Sequence, residues 1–299
     1  MVKRLGEFEF IRAISKGKQK GRGVLCGIGD DAAIVRSSRE KDLLMTTDMV
    51  IEGVHFRTDT SSLIQIGRKA MLVNLSDIAA MGGVPRYAVV AAGMPVRLPM
   101  NRRVLLMEGM EQVARENRFS IVGGDTNRSD KILLSVTLIG EVETGRGLKR
   151  DGARSGDLIY VTGKLGEAAE ALKKKTHHEP PNRVQVGRWL VFRKMARSCI
   201  DISDGFLGDL NHILEESRVG VEIWTGRLPG KASLLFKLTG GEDYELLFTA
   251  SPHRKIPSKI HGIPVTVVGT ITSQMGGISL CDEKGRRLPL PRRLGFSHF

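Results

Sequence analysis

The sequence predicts a mixed α/β protein in which two sheet-forming regions follow one another along the chain. Residues 132–142 alternate apolar and polar side chains, which is typical of a long strand with one buried face. Amphipathic helices are predicted at 63–81 and 101–117, between strand-like apolar segments. A segment rich in glycine and arginine at 145–157 interrupts this pattern, so we place a domain boundary there.

This boundary gives two predicted domains, residues 1–146 and 147–299. The first domain is expected to contain a strand that ends in a glycine turn, with Asp125 at its tip. In the second domain we expect a solvent-exposed loop that carries His177 and His178. Other predicted elements include helices at 5–14 and 206–216 and strands at 43–50, 86–95 and 157–163.

The composition favours a soluble, cytoplasmic protein. Its 299 residues are 41% hydrophobic and 26% charged. No apolar run approaches the roughly 20 residues that cross a membrane, and the N-terminus shows no apolar signal core. Cys26, Cys199 and Cys281 lie far apart without metal-ligand spacing, which favours free thiols in a reducing compartment.

The chain is strongly basic, with a net charge of +13, and this charge suggests a nucleic-acid-binding protein as one function class. However, the basic residues are mostly dispersed, and aromatic residues make up only 5% of the chain, which is poor for base stacking. A basic surface also attracts anionic small molecules such as nucleotides. We therefore do not expect nucleic acid to be the main partner, and we keep it as the alternative.

Acidic residues recur beside glycine or small residues near strand-like segments, and this recurrence carries the functional prediction. Asp30 and Asp31 are adjacent in the segment GIGDDAA, and alone they are typical of a solvated acidic turn. Further acids in the same setting favour a site for hard cations, which prefer oxygen ligands. These acids are Asp48, Asp77, Asp125, Asp201, Asp204, Glu242 and Asp243.

Neutral oxygen ligands lie next to two of these acids. Thr46 and Thr47 precede Asp48, so hydroxyl and carbonyl oxygens accompany its carboxylate. Asn74 and Asp77 are three residues apart and therefore share one face of the predicted helix. An N-terminal cap is the structural alternative for Asp77, but its position in mid-helix disfavours that role. A carboxylate among apolar neighbours is costly to bury unpaired, and a cation would remove that cost.

Four further residues have two interpretations on sequence alone. His55 follows the Asp48 strand in a glycine-flanked turn, and it either binds an anionic substrate or is structural. Arg150 suits phosphate oxygens, although an arginine in a linker is commonly just solvated. Ser203 and Asp204 precede a helix, where they either cap it or help to bind phosphate.

The motifs present and absent indicate a class of chemistry. The sequence contains neither a P-loop motif nor the protein-kinase signatures. Several aspartates without an evident nucleophile or histidine base point to metal-assisted phosphoryl transfer, in which catalysis is mainly positioning and charge neutralisation. Mg²⁺ suits such a site because it takes oxygen ligands and retains several waters.

Eight motifs, in their order along the chain, resemble the thiamine-monophosphate kinase family, within the superfamily of aminoimidazole ribonucleotide synthetase and selenophosphate synthetase. The resemblance extends from about Gly6 to Phe299. GVHF combined with DISDG and GGEDYEL is specific to the kinase branch. The eight motifs are GEFEFI, GIGDDAA, TTDMVIEGVHF, NLSDIAAMGG, GGDT, KRDGARSGD, DISDG and GGEDYEL.

The resemblance implies a kinase that uses ATP and several Mg²⁺ ions to convert thiamine monophosphate (TMP) to thiamine diphosphate. It implies a homodimer in which the mixed sheet of the N-terminal metal- and ATP-binding domain pairs with that of a second copy to form a barrel. The C-terminal α/β sandwich would complete the active-site cleft. The runner-up is a related ATP-dependent synthetase or hydrogenase-maturation protein.

The resemblance also implies roles for individual residues. Asp31, Asp48, Asp77 and Asp125 would be catalytic. Near the C-terminus, Phe296 stands where the family has tyrosine or tryptophan, so stacking is kept and a hydroxyl or indole contact is lost. The implied ATP contacts are Gly124, Asp125, Arg150 and Ser203, and the implied substrate contacts are His55, Glu242 and Phe296. The implied metal ligands are Asp31, Thr46, Thr47, Asp48, Asp77, Asp125, Asp201 and Asp204.

Overall fold

The structure, a computed structural model, describes residues 23–296, so the predicted helix at 5–14 and Phe299 lie outside the described residues. The described chain forms two β-sheets with helices packed against them, which confirms the mixed α/β class. None of its helices combines the length and the apolar composition needed to cross a bilayer. All three cysteines are free thiols, as expected.

The first sheet has six strands in the order β1-β2-β3-β6-β4-β5. Neighbouring strands are antiparallel except β4 and β5, which are parallel. Burial alternates strictly along the last of these strands in sequence, β6, as its apolar and polar pattern predicts. The strands are β1 (Val24–Cys26), β2 (Ala33–Arg36), β3 (Lys41–Ile51), β4 (Val84–Met94), β5 (Ser120–Arg128) and β6 (Leu133–Glu143).

Two helices, α1 (Leu63–Ala80) and α2 (Met100–Glu116), cover one face of this sheet. The first begins with a capping box, in which Gln65 N donates to Ser62 Oγ and Ser62 N donates to Gln65 Oε1. Most of α1 is buried because it packs against helix α2, against β3 and β6, and against the second half of the chain. This helix therefore occupies the centre of the molecule.

The second sheet has the order β14-β13-β9-β12-β7-β10-β8, with β11 paired to β12. Its strands are β7 (Leu158–Thr162), β8 (Ser198–Asp201), β9 (Gly220–Trp224), β10 (Leu246–Ala250), β11 (Lys259–Ile260), β12 (Ile263–Thr272), β13 (Ile278–Cys281) and β14 (Arg287–Leu288). Its helices are α3 (Glu167–Lys173), α4 (Val184–Arg193), α5 (Phe206–Ser217) and α6 (Leu234–Thr239).

One apolar cluster joins the two halves of the chain. Leu44 in the first sheet, Val186 in α4 and Phe248 in β10 belong to the same buried cluster. Helices α1 and α4 approach so closely that a Cβ on Gly187 would lie 1.9 Å from Ala79 O. This contact admits only glycine, so α4 packs closely on the C-terminal half of α1.

The predicted glycine turn at Asp125 is wrong, because the GGD segment lies inside β5. Gly124 pairs with Val90 of β4, and a Cβ at this position would lie 2.0 Å from Val90 O. Close strand packing therefore explains this glycine. A turn was predicted because paired glycines are usually breakers, whereas here Gly124 lets two parallel strands approach.

Candidate active site

Asp31, Asp77 and Asp201 come together where the two sheets and the central helix meet. One carboxylate oxygen of each lies within 4.8 Å of the other two. Asp31 precedes β2, Asp77 lies in the C-terminal half of α1, and Asp201 is the last residue of β8. The fold thus collects acids from both halves of the chain, as the recurrence of acid-bearing segments predicts.

Hydroxyl groups orient two of these carboxylates, and an amide fixes the neighbouring strand. Thr46 Oγ1 donates to the Asp77 carboxylate, and Ser76 Oγ donates to Asp201 Oδ2 at 2.6 Å. Asn74 Oδ1 accepts a hydrogen bond from Asp48 N at 3.1 Å, which fixes strand β3 against α1. Asn74 and Asp77 therefore both face β3, as their spacing on the helix predicts.

The electrostatics of this acid cluster suit a divalent cation. Burial, together with the charge of Asp31, raises the pKa of Asp48 to about 6 and that of Asp201 to about 8. Burial also raises the pKa of Asp77 well above its ordinary value. Asp31 Oδ2 is buried and has no hydrogen-bond partner in the described chain. An all-oxygen donor set with an unsatisfied buried carboxylate oxygen fits Mg²⁺.

Arg150 is bound to the acid pair that opens the site, so the interpretation as a solvated linker arginine is wrong. Its guanidinium donates to Asp31, and its main-chain nitrogen donates to Asp30 Oδ2 at 3.3 Å. The side chain is only 19% exposed. Burial and the charge of Asp31 nevertheless raise the pKa of Asp30 to about 7.

Ser203 and Asp204 precede α5, but neither is its N-cap residue. The N-cap is Gly205, whose φ of 123° favours glycine, and the Asp209 carboxylate accepts hydrogen bonds from Asp204 N and Gly205 N. The capping interpretation is therefore wrong, because a residue within the helix supplies the acceptor. Ser203 and Asp204 follow Asp201 of the acid cluster by two and three residues in the chain.

Two of the implied substrate contacts converge on this same loop. Glu242 N donates to Ser203 O at 2.6 Å, and Phe296 N donates to Asp204 O at 2.8 Å. The Phe296 side chain is 53% exposed. The fold thus places Ser203, Asp204, Glu242 and Phe296 in one group next to the acids.

Lys69 is a site residue that sequence reasoning missed. Its ammonium donates to Glu242 Oε1 at 2.9 Å and to the main-chain oxygen of His55 at 2.6 Å. The ring of His55 is also fixed, because Nδ1 accepts a hydrogen bond from Ile51 N. The sequence does contain a signal for Lys69, since it falls between Ile66 and Ala70 in the apolar stripe predicted for α1.

The prediction that His177 and His178 are solvent-exposed is wrong. His177 Nδ1 lies 3.0 Å from Ser61 Oγ, and both rings are partly buried. Burial and the nearby charge of Lys69 lower both pKa values. The polar composition of the loop gave the wrong prediction because Glu179 in the same loop forms an ion pair with Arg68 of α1. This ion pair holds the loop against the helix.

Asp125 and Thr47 lie apart from the acid cluster on the other face of the first sheet. Asp125 pairs with Ala91, which is exposed, and its carboxylate accepts a hydrogen bond from Asn127 Nδ2 at 2.6 Å. Thr47 Oγ1 donates to Val136 O, whereas its neighbour Thr46 faces Asp77. The described chain therefore brings together Asp31, Thr46, Asp48, Asp77 and Asp201, but not the Asp125 and Thr47 side chains.

A separate cavity of about 490 Å³ lies between α2 and the ends of β4 and β5. Its walls are mainly apolar, including Met100, Met107 and Met110, and it contains no carboxylate. It shares no lining residue with the acid cluster. The cavity therefore offers nothing that could hold a cation for phosphoryl transfer.

Comparison with known proteins gives concordant results. Residues 29–142 match the family model described as AIR synthase related protein, N-terminal domain. A solved structure described as AaThiL complexed with AMPPCP and TMP superimposes with a TM-score of 0.85 at 32% identity, covering 100% of this chain and 99% of that chain.

Two curated relatives are named thiamine-monophosphate kinase. The protein from Bacillus subtilis (strain 168) is 32% identical over 99% of this chain and 100% of its own length. The protein from Aquifex aeolicus (strain VF5) is 36% identical over 86% of this chain and 89% of its own length. With end-to-end similarity at this level and acids gathered as the family motifs imply, the chain belongs to the thiamine-monophosphate kinase family.

Proposed function

We propose that this chain is a kinase that transfers the γ-phosphate of ATP to TMP in a Mg²⁺-dependent reaction, giving thiamine diphosphate and ADP. The observation that carries the proposal is the convergence of Asp31, Asp77 and Asp201 within 4.8 Å. Membership of the kinase family and the AMPPCP and TMP bound in the similar structure support it. The synthetase and hydrogenase-maturation alternatives are not favoured, because the curated relatives at this identity are kinases.

The acceptor chemistry explains why the site needs no general base. The second pKa of a phosphate monoester is about 6, so the attacking oxygen of TMP is already largely ionised near neutral pH. The difficulty is to bring two anions together for in-line transfer. Bound Mg²⁺ would supply positive charge between the two phosphates. Asp31, Asp48, Asp77 and Asp201 would hold it, with Thr46 orienting Asp77 and with Asp204 beside them.

Arg150 would take part on the nucleotide side. In the described structure its guanidinium bonds to Asp31 and partly compensates that carboxylate. Once Asp31 is compensated by a cation, the planar guanidinium is free to bind phosphate oxygens in a bidentate manner. Ser203 and Gly124 are the other proposed ATP contacts, although close packing on β4 already accounts for Gly124.

His55, Glu242 and Phe296 would hold the thiamine end of the substrate. The Glu242 carboxylate can accept hydrogen bonds from an aminopyrimidine, and the half-exposed Phe296 ring can stack on a flat heterocycle. Because Glu242 and Phe296 bond to the loop that follows Asp201, the thiamine end would be positioned relative to the acids.

We further propose that residues 1–146 form the dimerisation domain, that residues 147–299 complete the cleft, and that the enzyme is a cytoplasmic homodimer. The first sheet supports the dimer, since the helices of the described residues cover only one of its faces. The other face exposes a set of large apolar side chains, and covering these with a second copy would give the barrel that the family resemblance implies. They are Met45, Met49, Tyr87, Val89 and Val122.

Dimerisation would also give Asp125 and Thr47 a place in the mechanism. Both side chains lie on the uncovered face, three strands apart, which is about 14 Å at 4.8 Å per strand. A single cation cannot bind both within one protomer. We propose that Asp125 serves the active site of the second copy, beside the β3 strand of that copy.

The test of the proposed activity is TMP-dependent release of ADP from Mg·ATP, with the product identified by ³¹P NMR. Because ADP itself gives paired diphosphate signals, the proposal requires a second such pair that matches authentic thiamine diphosphate, together with loss of turnover with EDTA and recovery with added Mg²⁺. Release of inorganic phosphate without thiamine diphosphate, or equal turnover without TMP, would contradict it. Duplex DNA serves as the control ligand, because a nucleic-acid-binding protein would show strong, salt-sensitive binding.

A further inference from the structure

Lys69 is a buried cation that has no role in the reaction proposed above. It lies on α1, and its side chain is 6% exposed. Its two bonded acceptors, Glu242 Oε1 and the main-chain oxygen of His55, belong to residues that are far apart in the sequence. A lysine is rarely buried this deeply unless its charge is paired. The pair therefore joins the two loops that carry the proposed substrate contacts.

The position of Lys69 along α1 relates it to the acid cluster. Lys69 precedes Asp77 by eight residues, which is about 12 Å along a helix at 1.5 Å per residue. One rigid helix thus spaces the acids from the Lys69–Glu242 pair. TMP is an extended molecule with its phosphate at one end and its aminopyrimidine at the other, so this spacing suits a ligand that reaches from the acids to Glu242.

The backbone around Glu242 is unusual and needs support. Glu242 has a φ of 67° and Tyr244 a φ of 51°, both in the left-handed region that side chains other than glycine rarely adopt. Such conformations persist where surrounding contacts fix them, and they concentrate at ligand sites. Two contacts fix Glu242, namely Ser203 O on its main chain and Lys69 on its carboxylate.

The loop with His177 and His178 lies next to this pair. Both rings are close enough to Lys69 for its charge to lower their pKa values, and the Arg68–Glu179 ion pair, with two nitrogen–oxygen distances of 2.9 Å, fastens the loop to α1. The Lys69 side chain, which is 6% exposed, is largely shielded from water. Because screening by water is weaker there, the ion pair holds Glu242 more firmly than a surface pair would.

We propose that Lys69 is a positioning residue, which fixes the Glu242 carboxylate and the His55 loop so that they bind the thiamine end of TMP. This inference rests on the proposed function. It assigns no contact of Lys69 with the transferred phosphoryl group or with ATP. Removing the lysine should therefore weaken TMP binding selectively and leave nucleotide binding intact.

The experiment measures the Kd of TMP and, separately, that of Mg·ADP by calorimetry for wild type, Lys69→Met, Glu242→Gln and the double variant. Lys69→Met should raise the Kd of TMP by about 10- to 100-fold, the range typical when a supporting residue is lost, and should change the Kd of Mg·ADP less than about 2-fold. The double variant should lose less TMP affinity than the two single losses multiplied together, because both changes remove the same Lys69–Glu242 contact.

Two further variants separate positioning from stability. Lys69→Arg keeps the charge and should retain most of the TMP affinity, which also tests the inference if Lys69→Met folds poorly. Lys41→Met breaks the exposed Lys41–Glu143 pair of similar length, 3.0 Å, and should leave both Kd values unchanged. Thermal unfolding of every variant identifies a general loss of structure.

The inference is overturned if Lys69→Met binds TMP like wild type, or if it loses TMP and Mg·ADP to the same degree. Additive losses in the double variant would equally contradict it. If wild type phosphorylates TMP and Lys69→Met binds TMP normally, only the proposed role of Lys69 is disproved. Wild type that neither binds nor phosphorylates TMP would disprove the proposed function itself and this inference with it.

Discussion

Asp48 and Asp125 lie on opposite faces of the first sheet, three strands apart. Met49, the residue after Asp48, shares one row across the sheet with Ser135, Ala91 and Asp125. Because side chains alternate along a strand, Asp48 points to the face that carries α1, and Asp125 points to the uncovered face. If both residues serve one reaction, they must do so across a dimer.

This relationship predicts complementation between two inactive variants. Asp77→Asn and Asp125→Asn should each be nearly inactive alone. A mixed dimer contains one site with an intact Asp77 from one protomer and an intact Asp125 from the other. After unfolding and refolding an equimolar mixture, activity should recover to about a quarter of wild type, because about half the dimers are mixed and each has one intact site. Recovery is measured as ADP release, and no recovery would place Asp125 in the site of its own protomer.

From the acid cluster we predict that a substitution at Asp77 lowers the activity and leaves the fold intact. Asp77→Asn should lower turnover by at least roughly 10²–10³-fold. The substitution removes a ligand of the cation, and that cation neutralises charge in the transition state. The fold should remain, because asparagine is nearly isosteric and can still accept a hydrogen bond from Thr46. Circular dichroism and steady-state rates check both expectations. Asp282→Asn, in an exposed turn, is the matched control and should keep full activity.

We predict that a charge introduced on the uncovered face of the first sheet weakens dimer formation. Val89→Glu places a carboxylate in the middle of the proposed interface, where it would be desolvated without a partner, and should raise the dimer dissociation constant by about 100-fold or more. Light scattering coupled to gel filtration measures the mass. Leu172→Glu on α3, where the leucine is 72% exposed, should leave the dimer intact. Equal masses for the two variants would contradict the proposed interface.

The buried carboxyl group of Asp243 should make the free energy of unfolding depend on pH. Its carboxylate is buried and accepts hydrogen bonds from Gly166 N at 2.6 Å and Ala168 N at 3.2 Å, and burial raises its pKa from 3.8 to about 7. A carboxyl pKa that is raised on folding adds stability at low pH, and this contribution is lost progressively as the pH rises from 3.8 to about 7.

The comparison with Asp243→Asn isolates this contribution from that of other buried acids. Relative to the variant, the free energy of unfolding of wild type should fall by on the order of 3 kcal/mol between pH 4 and pH 7. Urea denaturation without added metal, repeated across this range, measures the difference. A difference that is constant with pH, or that grows, would show that Asp243 is ionised throughout.

Much of the fold and the acid cluster could be predicted from the sequence because their signals are local. The helix beginning after Ser62 has an amphipathic pattern and a cap, and residues 132–142 alternate as a strand should. Asp31, Asp77 and Asp201 each sit beside small residues near apolar segments. The sequence therefore indicates a shared role for these residues before their positions in space are known.

The errors arose where tertiary contacts override local signals. Gly124, directly before Asp125, serves a close strand pair, and His177 is held against α1 by the Arg68–Glu179 ion pair. The partner of Lys69 is 173 residues away, so its pairing with Glu242 leaves no local trace. The position of Asp125 on the uncovered face depends on strand order, which the sequence did not specify.

Anomalous diffraction from crystals grown with Mn²⁺, AMPPCP and TMP tests most directly whether the converging acids hold the cations for phosphoryl transfer. The account predicts manganese bound by the carboxylates of Asp31, Asp77 and Asp201, with Arg150 turned from Asp31 toward the nucleotide. Manganese found only away from these three carboxylates, with the Arg150–Asp31 pair intact, would contradict it.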